Sequence, residues 1–308
     1  MHIVCVEPLG MPESFFEEKR AFFARQGDQF TYYMDRKEDS ATLVERMKDA
    51  DVAVISNIPL REEVLRACPK LRFLSVAFTG LDHIDLAYCQ AHNIRVRNAA
   101  GYSTTAVSEL AVGMMLDLLR HTTELDSVTR RGGSRGSLLG GELRGRTVGV
   151  VGTGAIGTAT IKLLLAFGCT VVAYSRTERD AVKEMGVRYL SLDELMACSD
   201  IVTLHVPMNN ETRHLIDARR IALMKPTALL VNTARGGVVD TAALADAMQN
   251  GTIAGAAVDV YDSEPPLATD HPLLQAPNCL CLPHIGYATR EAFDIRAGIV
   301  FKELRVES

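Results

Sequence analysis

Short apolar runs alternate with amphipathic segments along most of this chain. In the first third, the runs HIVCV, DVAVIS and LRFLSVAF are separated by segments of helical periodicity, such as 15–25. From Thr147 the alternation starts again with TVGVV, TVVAY, DIVTLHVP, TALLVNTA and AGAAVDV. Strands that read as unbroken apolar runs, each followed by a helix, are typical of parallel sheets covered by helices on both faces. The pattern therefore predicts an α/β protein.

Two segments between these halves break the alternation. The segment TTAVSELAVGMMLDLLR, Thr104–Arg120, is apolar around most of its circumference, which predicts a helix buried on several sides, within the chain or against a second subunit. The segment 130–146 is rich in glycine and has no periodicity, so we interpret it as a loop or arm. Because both need burial, we expect a homodimer.

Composition narrows the class of protein. With 308 residues, 47% of them hydrophobic, and a net charge of −5, the chain resembles an ordinary globular protein of about two domains. The basic residues do not cluster, so nucleic acid is not an expected partner. A basic leader and a long apolar segment are both missing from the sequence, which predicts a cytoplasmic protein without a membrane anchor. The seven cysteines form no CxxC pair, and we expect them to be reduced core residues without a metal.

The segment VVGTGAIG carries the clearest chemistry. Gly152, Gly154 and Gly157 fit the pattern GxGxxG, which follows the strand TVGVV and opens a helix through Ala155 and Ile156. In this context the first two glycines allow a tight turn and close approach to a pyrophosphate, and the third allows helix and strand to pack closely. The segment therefore predicts a dinucleotide cofactor.

The next strand bears on which dinucleotide is bound. Ser175 stands where an NAD-specific unit places the carboxylate that accepts the ribose hydroxyls. Serine removes the charge that would repel a 2′-phosphate, and Arg176 offers that phosphate a forked donor, with Thr177 and Arg179 beside it. We therefore expect NADP(H) as the preferred cofactor and NAD(H) as the alternative; a solvated arginine beside a tolerant ribose site is the other interpretation.

Hydride transfer to a carbonyl also needs a proton donor that works near neutral pH, and histidine is the usual one. Both His205 and His284 end apolar strands of the second half, at the edge where open α/β sheets bind ligands. Spacing alone does not choose between them.

Seven sequence motifs, which follow one another in a fixed order, indicate the family of this chain. These are FTGLDHID (78–85), NAAGYSTTAVSE (98–109), GRTVGVVGTGAIG (145–157), DIVTLHVPMNNET (200–212), LVNTARGGVVD (230–240), AAVDVYDSEPP (256–266) and LPHIG (282–286). Together they resemble the D-isomer-specific 2-hydroxyacid dehydrogenases over nearly the whole chain. The resemblance implies two doubly wound parallel-sheet domains: a Rossmann-type cofactor domain, 99–286, inserted into a flavodoxin-like substrate domain, 1–98 plus 287–308. The cofactor would lie in the cleft between the domains.

The resemblance also implies a catalytic triad of Arg235, Glu264 and His284. Arg235 would fork onto the carboxylate and carbonyl of a 2-oxo acid and stabilise charge on the carbonyl oxygen. His284 would give that oxygen its proton, and Glu264 would orient the imidazole through its other ring nitrogen.

Further contacts follow from the same resemblance. Backbone amides at Thr79 and Gly80 would hold the substrate carboxylate, with Asn57 and Tyr102 near the variable group of the substrate. Asp259 would fix the nicotinamide carboxamide. The other implied cofactor contacts are His205, Val206, Pro207, Thr212, Thr233, Ala234 and Gly286.

The motifs FTG and GYST are similar to those of the glyoxylate and hydroxypyruvate reductase branch, which makes these two acids the expected substrates. The acidic residue missing at Ser175 points to NADPH within the family. The chain departs from its relatives in having no tryptophan in the arm before the glycine motif. Two alternative functions are a cofactor-sensing binding protein similar to the corepressors that share this fold, and a phosphoglycerate dehydrogenase.

Overall fold

The computed structural model describes residues 1–307. They form two compact units, one of Met1–Ser103 with Ala288–Ser308 and one of Thr104–Tyr287, called here the first and the second unit. The domain bounds given above from the sequence stay a prediction.

Strands and helices alternate along both units. The strands are β1 His2–Cys5, β2 Gln29–Tyr32, β3 Val52–Ile55, β4 Phe73–Val76, β5 Arg95–Asn98, β6 Thr147–Val151, β7 Thr170–Tyr174, β8 Arg188–Tyr189, β9 Ile201–Leu204, β10 Leu229–Asn232, β11 Gly255–Val258 and β12 Cys279–Cys281. The helices are α1 Glu13–Ala24, α2 Ser40–Met47, α3 Glu62–Arg66, α4 Leu86–Ala91, α5 Thr104–Arg120, α6 Thr122–Arg130, α7 Ala155–Ala166, α8 Asp180–Lys183, α9 Leu192–Cys198, α10 Ala218–Ile221, α11 Thr241–Gln249, α12 Pro272–Gln275 and α13 Arg290–Glu307. A 3-10 turn at Gly236–Val238 follows β10.

Each unit is built on one parallel sheet. The first unit has the order β2-β1-β3-β4-β5, and the second has β12-β11-β10-β9-β6-β7-β8. All strand pairs in both sheets are parallel. The first order is flavodoxin-like, and the second is the Rossmann order with one strand added. The predicted fold class is therefore confirmed, and the strand order of the second sheet reverses between β6 and β9, where such sheets bind ligands.

The sheet of the second unit is buried on both faces. Along β9, Val202 and Leu204 pack into one hydrophobic core, whereas Ile201 packs into the other. This follows from the alternation of side chains along a strand. The second core also contains Ala111 and Met115 of α5, both fully buried.

Helix α5 has the bounds expected from its apolar pattern. One side is buried in the second unit, while Leu116 and Leu118 remain half-buried at the edge of the core. Helix α6, which follows directly, was not predicted. None of its residues is buried, so it leaves no apolar stripe in the sequence. The segment 131–146 then contains neither helix nor strand, as expected for a loop or arm.

The last helix, α13, packs in the first unit through a buried arginine. Arg296 is 3% exposed, and its guanidinium donates to the carbonyl oxygens of Ala77 (3.2 Å) and Leu9. The same group lies over the ring of Phe293, 4.4 Å from its centroid. These bonds tie α13 to the segments that follow β1 and β4.

Candidate active site

The glycine-rich turn joins β6 to α7, and its three glycines have different reasons to lack a side chain. Gly152 has φ +97°, and a Cβ there would lie 2.5 Å from the carbonyl oxygen of His205. A Cβ on Gly157 would lie 1.9 Å from the carbonyl oxygen of Gly152, so helix and strand pack too closely for any side chain. A Cβ on Gly154 would meet no atom within 4 Å. Neighbouring backbone thus leaves no room for a side chain at Gly152 or Gly157, whereas Gly154 faces open space at the N-terminus of α7. Backbone amides at such a helix terminus attract anions.

A cavity of about 450 Å³ opens beside this turn, at the carboxyl ends of β6, β7 and β9. The predicted cofactor residues that line it are Gly152, Gly154, Ser175, Arg176, Thr177, His205, Val206, Pro207 and Thr212. It is also lined by Thr153, Tyr174, Arg179, Asn209, Glu211 and Leu215. The predicted cofactor residues outside it are Ala155, Ile156 and Gly157 in α7, Thr233 and Ala234 after β10, Asp259 after β11, and Gly286 after β12.

One wall of the cavity carries opposite charges. Arg176 Nη1 lies 3.1 Å from Glu211 Oε2, and the two side chains are 82% and 71% exposed. Glu211 belongs to the loop after β9, and the sequence analysis missed it although it predicted other cofactor residues in this loop, because no motif assigns a role to an acidic residue there. The arginine is thus available to a phosphate, but it already has an acidic neighbour.

The loop that carries Ser175 and Arg176 is fastened to the glycine turn by a tyrosine. Tyr189 donates its hydroxyl proton to Thr153 Oγ1 at 2.9 Å and accepts from the Arg179 amide at 3.1 Å. These two hydrogen bonds link the wall of the cavity at Arg179 to the wall at Thr153.

The structure distinguishes the two candidate histidines by their surroundings. The His205 ring is buried, its Nε2 lies 3.1 Å from Thr203 Oγ1, and its Nδ1 has no hydrogen-bond partner among the described residues. Burial lowers the pKa of His205 to about 4, so this ring stays neutral near neutral pH. His284, by contrast, is 16% exposed, and its Nδ1 lies 2.8 Å from Glu264 Oε2. A carboxylate only accepts, so Nδ1 carries a proton and Nε2 is the nitrogen left for proton exchange.

The backbone of His284 is unusual. Its φ is +56°, in the left-handed region that non-glycine residues seldom adopt. The amides of the next two residues, Ile285 and Gly286, each donate to a different oxygen of Asp259, both at 2.8 Å. Asp259 is 1% exposed, and this burial raises its pKa, while the two amide bonds oppose the rise.

Arg235 follows β10 in a turn shaped by Asn232. The Asn232 amide group donates to the carbonyl oxygen of Arg235 (2.9 Å), and its Oδ1 accepts from the amide of Ala234 (3.0 Å). Arg235 Nη1 donates to the carbonyl oxygen of Ala234 at 2.7 Å. Thr233 is also buried here, and its hydroxyl has no partner among the described residues.

The residues predicted to meet the substrate lie after the carboxyl ends of strands in the first unit. Asn57 Oδ1 accepts from Arg36 Nη1 at 2.7 Å, and the carbonyl oxygen of Thr79 accepts from Asn98 Nδ2 at 2.6 Å. Gly80 is half-buried, and Tyr102 is buried at 2% exposure. All four predicted residues are thus at the ligand-binding edge of that sheet.

Two further features concern metals and membranes. Cys279 and Cys281 lie on one face of β12, with their sulfurs 3.6 Å apart. Residues 1–307 hold no group of three or more His, Cys, Asp or Glu side chains that suits a metal. In the same range, each helix is too short or too polar to cross a membrane.

Comparison with known proteins identifies the family. The profile of the D-isomer specific 2-hydroxyacid dehydrogenase NAD-binding domain matches residues 112–286. A glyoxylate reductase of Thermofilum pendens is 40% identical over 266 residues, which cover 84% of this chain and 78% of the relative.

Two solved structures are similar over nearly the whole chain. D-lactate dehydrogenase from Aquifex aeolicus, complexed with NAD and lactic acid, has a TM-score of 0.85 at 32% identity and covers 100% of this chain and 96% of its own. An acyclic imino acid reductase in complex with NADPH and D-Arg has a TM-score of 0.89 at 26% identity, covering 99% and 96%. This chain therefore belongs to the D-isomer-specific 2-hydroxyacid dehydrogenases, and it is an oxidoreductase that interconverts 2-oxo and 2-hydroxy acids with a nicotinamide cofactor.

Proposed function

We propose that this enzyme reduces glyoxylate or hydroxypyruvate to the 2-hydroxy acid and prefers NADPH as its hydride donor. The observation that carries the proposal is the contact between His284 Nδ1 and Glu264 Oε2, at 2.8 Å. With Nδ1 bonded to the carboxylate, Nε2 is the nitrogen that would give a proton when the ring is cationic. His205 is the weaker candidate, since its ring contacts Thr203 and no carboxylate among the described residues, and burial lowers its pKa to about 4.

The cofactor site is supported by the open middle of the glycine turn. Gly154 leaves room at the N-terminus of α7 for the pyrophosphate, and the adjoining cavity takes the adenosine half. Asp259 and Gly286, with Thr233 and Ala234, are the candidates for the nicotinamide half. When bound, the reduced cofactor supplies a hydride to the carbonyl carbon of the substrate.

Each member of the triad then has one task. Arg235 binds the substrate carboxylate and stabilises negative charge on the carbonyl oxygen as hydride arrives. His284 gives the proton on Nε2 to this oxygen and becomes neutral, and in the reverse reaction it takes the proton back. Glu264 holds the ring through Nδ1 and stabilises its cationic form before transfer. In the first unit, Asn57, Thr79, Gly80 and Tyr102 remain the candidates for substrate contacts.

The preference for NADPH is supported by the wall of the cavity at Ser175 and Arg176. No carboxylate stands at position 175 to repel a 2′-phosphate, and the Arg176 guanidinium is highly exposed. Thr177 and Arg179 line the same wall.

The homodimer is supported by α5 and the segment after it. Leu116 and Leu118 are half-buried, and Leu139 in the segment 131–146 is 78% exposed. These residues offer apolar surface to a second copy of the chain.

The proposal is tested with a panel of 2-oxo acids, each assayed with NADPH and with NADH. Glyoxylate and hydroxypyruvate should give the highest kcat/KM with NADPH, ahead of pyruvate and 3-phosphohydroxypyruvate. Preference for 3-phosphohydroxypyruvate would instead favour a phosphoglycerate dehydrogenase. Binding of cofactor without turnover of any acid would favour the cofactor-sensing alternative.

A further inference from the structure

We propose that Asp259 is a positioning residue that fixes the left-handed backbone of His284, and so holds the imidazole in place in the second unit. The inference rests on the proposed function, because it takes His284 as the proton donor. It is a second role for this residue, beside the fixing of the nicotinamide carboxamide that the family resemblance implies.

The first argument is the conformation itself. A non-glycine residue at φ +56° is held there by its surroundings, since the left-handed region costs of the order of 1 kcal/mol or more for a residue with a Cβ. In the left-handed turn at His284, the two following amides point at one carboxylate. Asp259 accepts from both, and within residues 1–307 it is the one hydrogen-bond acceptor of these two amides.

The second argument is the chemistry of the acceptor. Each oxygen of Asp259 accepts one amide proton at 2.8 Å, which matches an ionised carboxylate with two acceptor atoms. An asparagine there would turn an NH₂ group toward one of the two amides. Two donors would then face each other in a site where the side chain is 1% exposed.

The third argument is the close approach at Gly286. A Cβ on this residue would lie 3.0 Å from Asp259 Oδ2 and 3.4 Å from Val107 Cγ2. A side chain at this position would press on the carboxylate, so the glycine favours the close contact between Asp259 and the amide of Gly286. Val107 lies in the first part of α5, so the same spot packs against the start of the second unit.

The fourth argument is the position in the chain. The second unit ends at Tyr287, three residues after His284. The bonds to Asp259 add to those that Leu282 makes with Val258 and Tyr261, and they hold the backbone on the far side of His284. Asp259 pins this segment immediately before the chain leaves the unit, so the imidazole keeps its place relative to Glu264.

The test uses Asp259→Asn, Asp259→Ala and Gly286→Ala in the full chain. A displacement of about 1 Å at a catalytic group can cost about 100-fold in rate, so kcat should fall by about 100-fold in Asp259→Ala and by about 10- to 100-fold in the other two variants. KM for the 2-oxo acid should change by less than about 3-fold. The change in Asp259→Ala combined with Gly286→Ala should not exceed that of the worse single variant, since both disturb one contact.

Hydrogen exchange gives a readout that does not depend on turnover. The amides of Ile285 and Gly286 should exchange slowly in the parent and roughly 10-fold faster or more in Asp259→Ala, measured by mass spectrometry on a peptide that contains both. The matched control is Asp200→Asn, which removes another carboxylate that accepts from a backbone amide, that of Thr147 at 2.8 Å. It should leave kcat and the exchange at 285 and 286 unchanged.

Two results would overturn the inference. One is unchanged exchange at 285 and 286 in Asp259→Ala, whatever the Kd for NADPH, which would leave nicotinamide binding as the role of Asp259. The other is unchanged kcat in folded Asp259→Ala. If the parent reduced none of the 2-oxo acids, the proposed function would fail, but the exchange would still decide whether Asp259 pins the segment.

Discussion

Replacing both Ser175 and Arg176 should invert the cofactor preference. In Ser175→Asp/Arg176→Ala, the donor for the 2′-phosphate is lost and a carboxylate takes its place. This carboxylate repels the phosphate of NADPH and accepts hydrogen bonds from the ribose hydroxyls of NADH. We expect the parent to bind NADPH more tightly and the double variant to bind NADH more tightly.

The size of the parent's preference depends on Glu211. A charge-assisted hydrogen bond contributes about 1.5–3 kcal/mol, but the exposed ion pair that Arg176 makes with Glu211 is worth about 0.2–1 kcal/mol and has to be given up or shared. The difference, about 0.5–2.8 kcal/mol, corresponds to a preference for NADPH of about 2- to 100-fold. Glu211→Gln removes the competing carboxylate, so it should raise the affinity for NADPH by about 1.5- to 5-fold and leave that for NADH unchanged.

Fluorescence titration of both cofactors measures these affinities directly, at fixed ionic strength because salt screens the phosphate contact. Glu178→Gln is the matched control, since Glu178 is an exposed carboxylate nearby that pairs with Lys183 and does not line the cavity. Tighter binding of NADH by the parent would refute the role of Arg176. If Glu178→Gln raised the affinity for NADPH as much as Glu211→Gln does, Glu211 would act only through the general surface charge.

Three further outcomes are expected. His284→Ala should lose turnover while its Kd for NADPH stays within about 2-fold, because the ring moves a proton and does not hold the nucleotide; an active variant would remove His284 from the mechanism. Glu264→Gln replaces the carboxylate that accepts from His284 Nδ1 and stabilises the cationic ring, so kcat should fall, and an unchanged kcat would contradict this. Sedimentation at micromolar concentration should show a dimer, and a monomer alone would leave the exposed side chains of α5 and of the segment 131–146 without the expected partner.

The fold could be predicted because the sequence patterns that indicate its strands, helices and turns are short-range. Each strand of the second sheet reads as an apolar run, since both faces are covered, and GxGxxG places a turn between β6 and α7. The capping box of Ser191 and Glu194 at the start of α9 is likewise local and is present in the structure. Helix α6 escaped prediction because its side chains are not buried, so hydrophobic periodicity carries no information about it.

The contacts that tune the candidate site were harder to predict, because they join residues far apart in sequence. Glu211 comes to Arg176 from the loop after another strand, and no spacing rule links the two positions. Tyr189 likewise closes on Thr153 from the edge strand β8. Such pairs depend on how the strand ends are arranged around the cavity, which a single sequence does not specify.

The choice of proton donor shows most clearly what the structure adds. His205 and His284 are the same residue type at equivalent places, each just after an apolar strand, so a sequence cannot separate them without a family pattern.

The surroundings of the two histidines differ because β9 is central in the sheet and β12 is at its edge. His205, after the central strand, packs beside the glycine turn, where burial lowers its pKa to about 4 and its carbonyl oxygen lies close to Gly152. A ring after the edge strand keeps contact with solvent and can be reached by Glu264 from a loop outside the sheet. The central strand β9 thus leads to residues that line the cavity beside the glycine turn, whereas the edge strand β12 leads to the proposed proton donor.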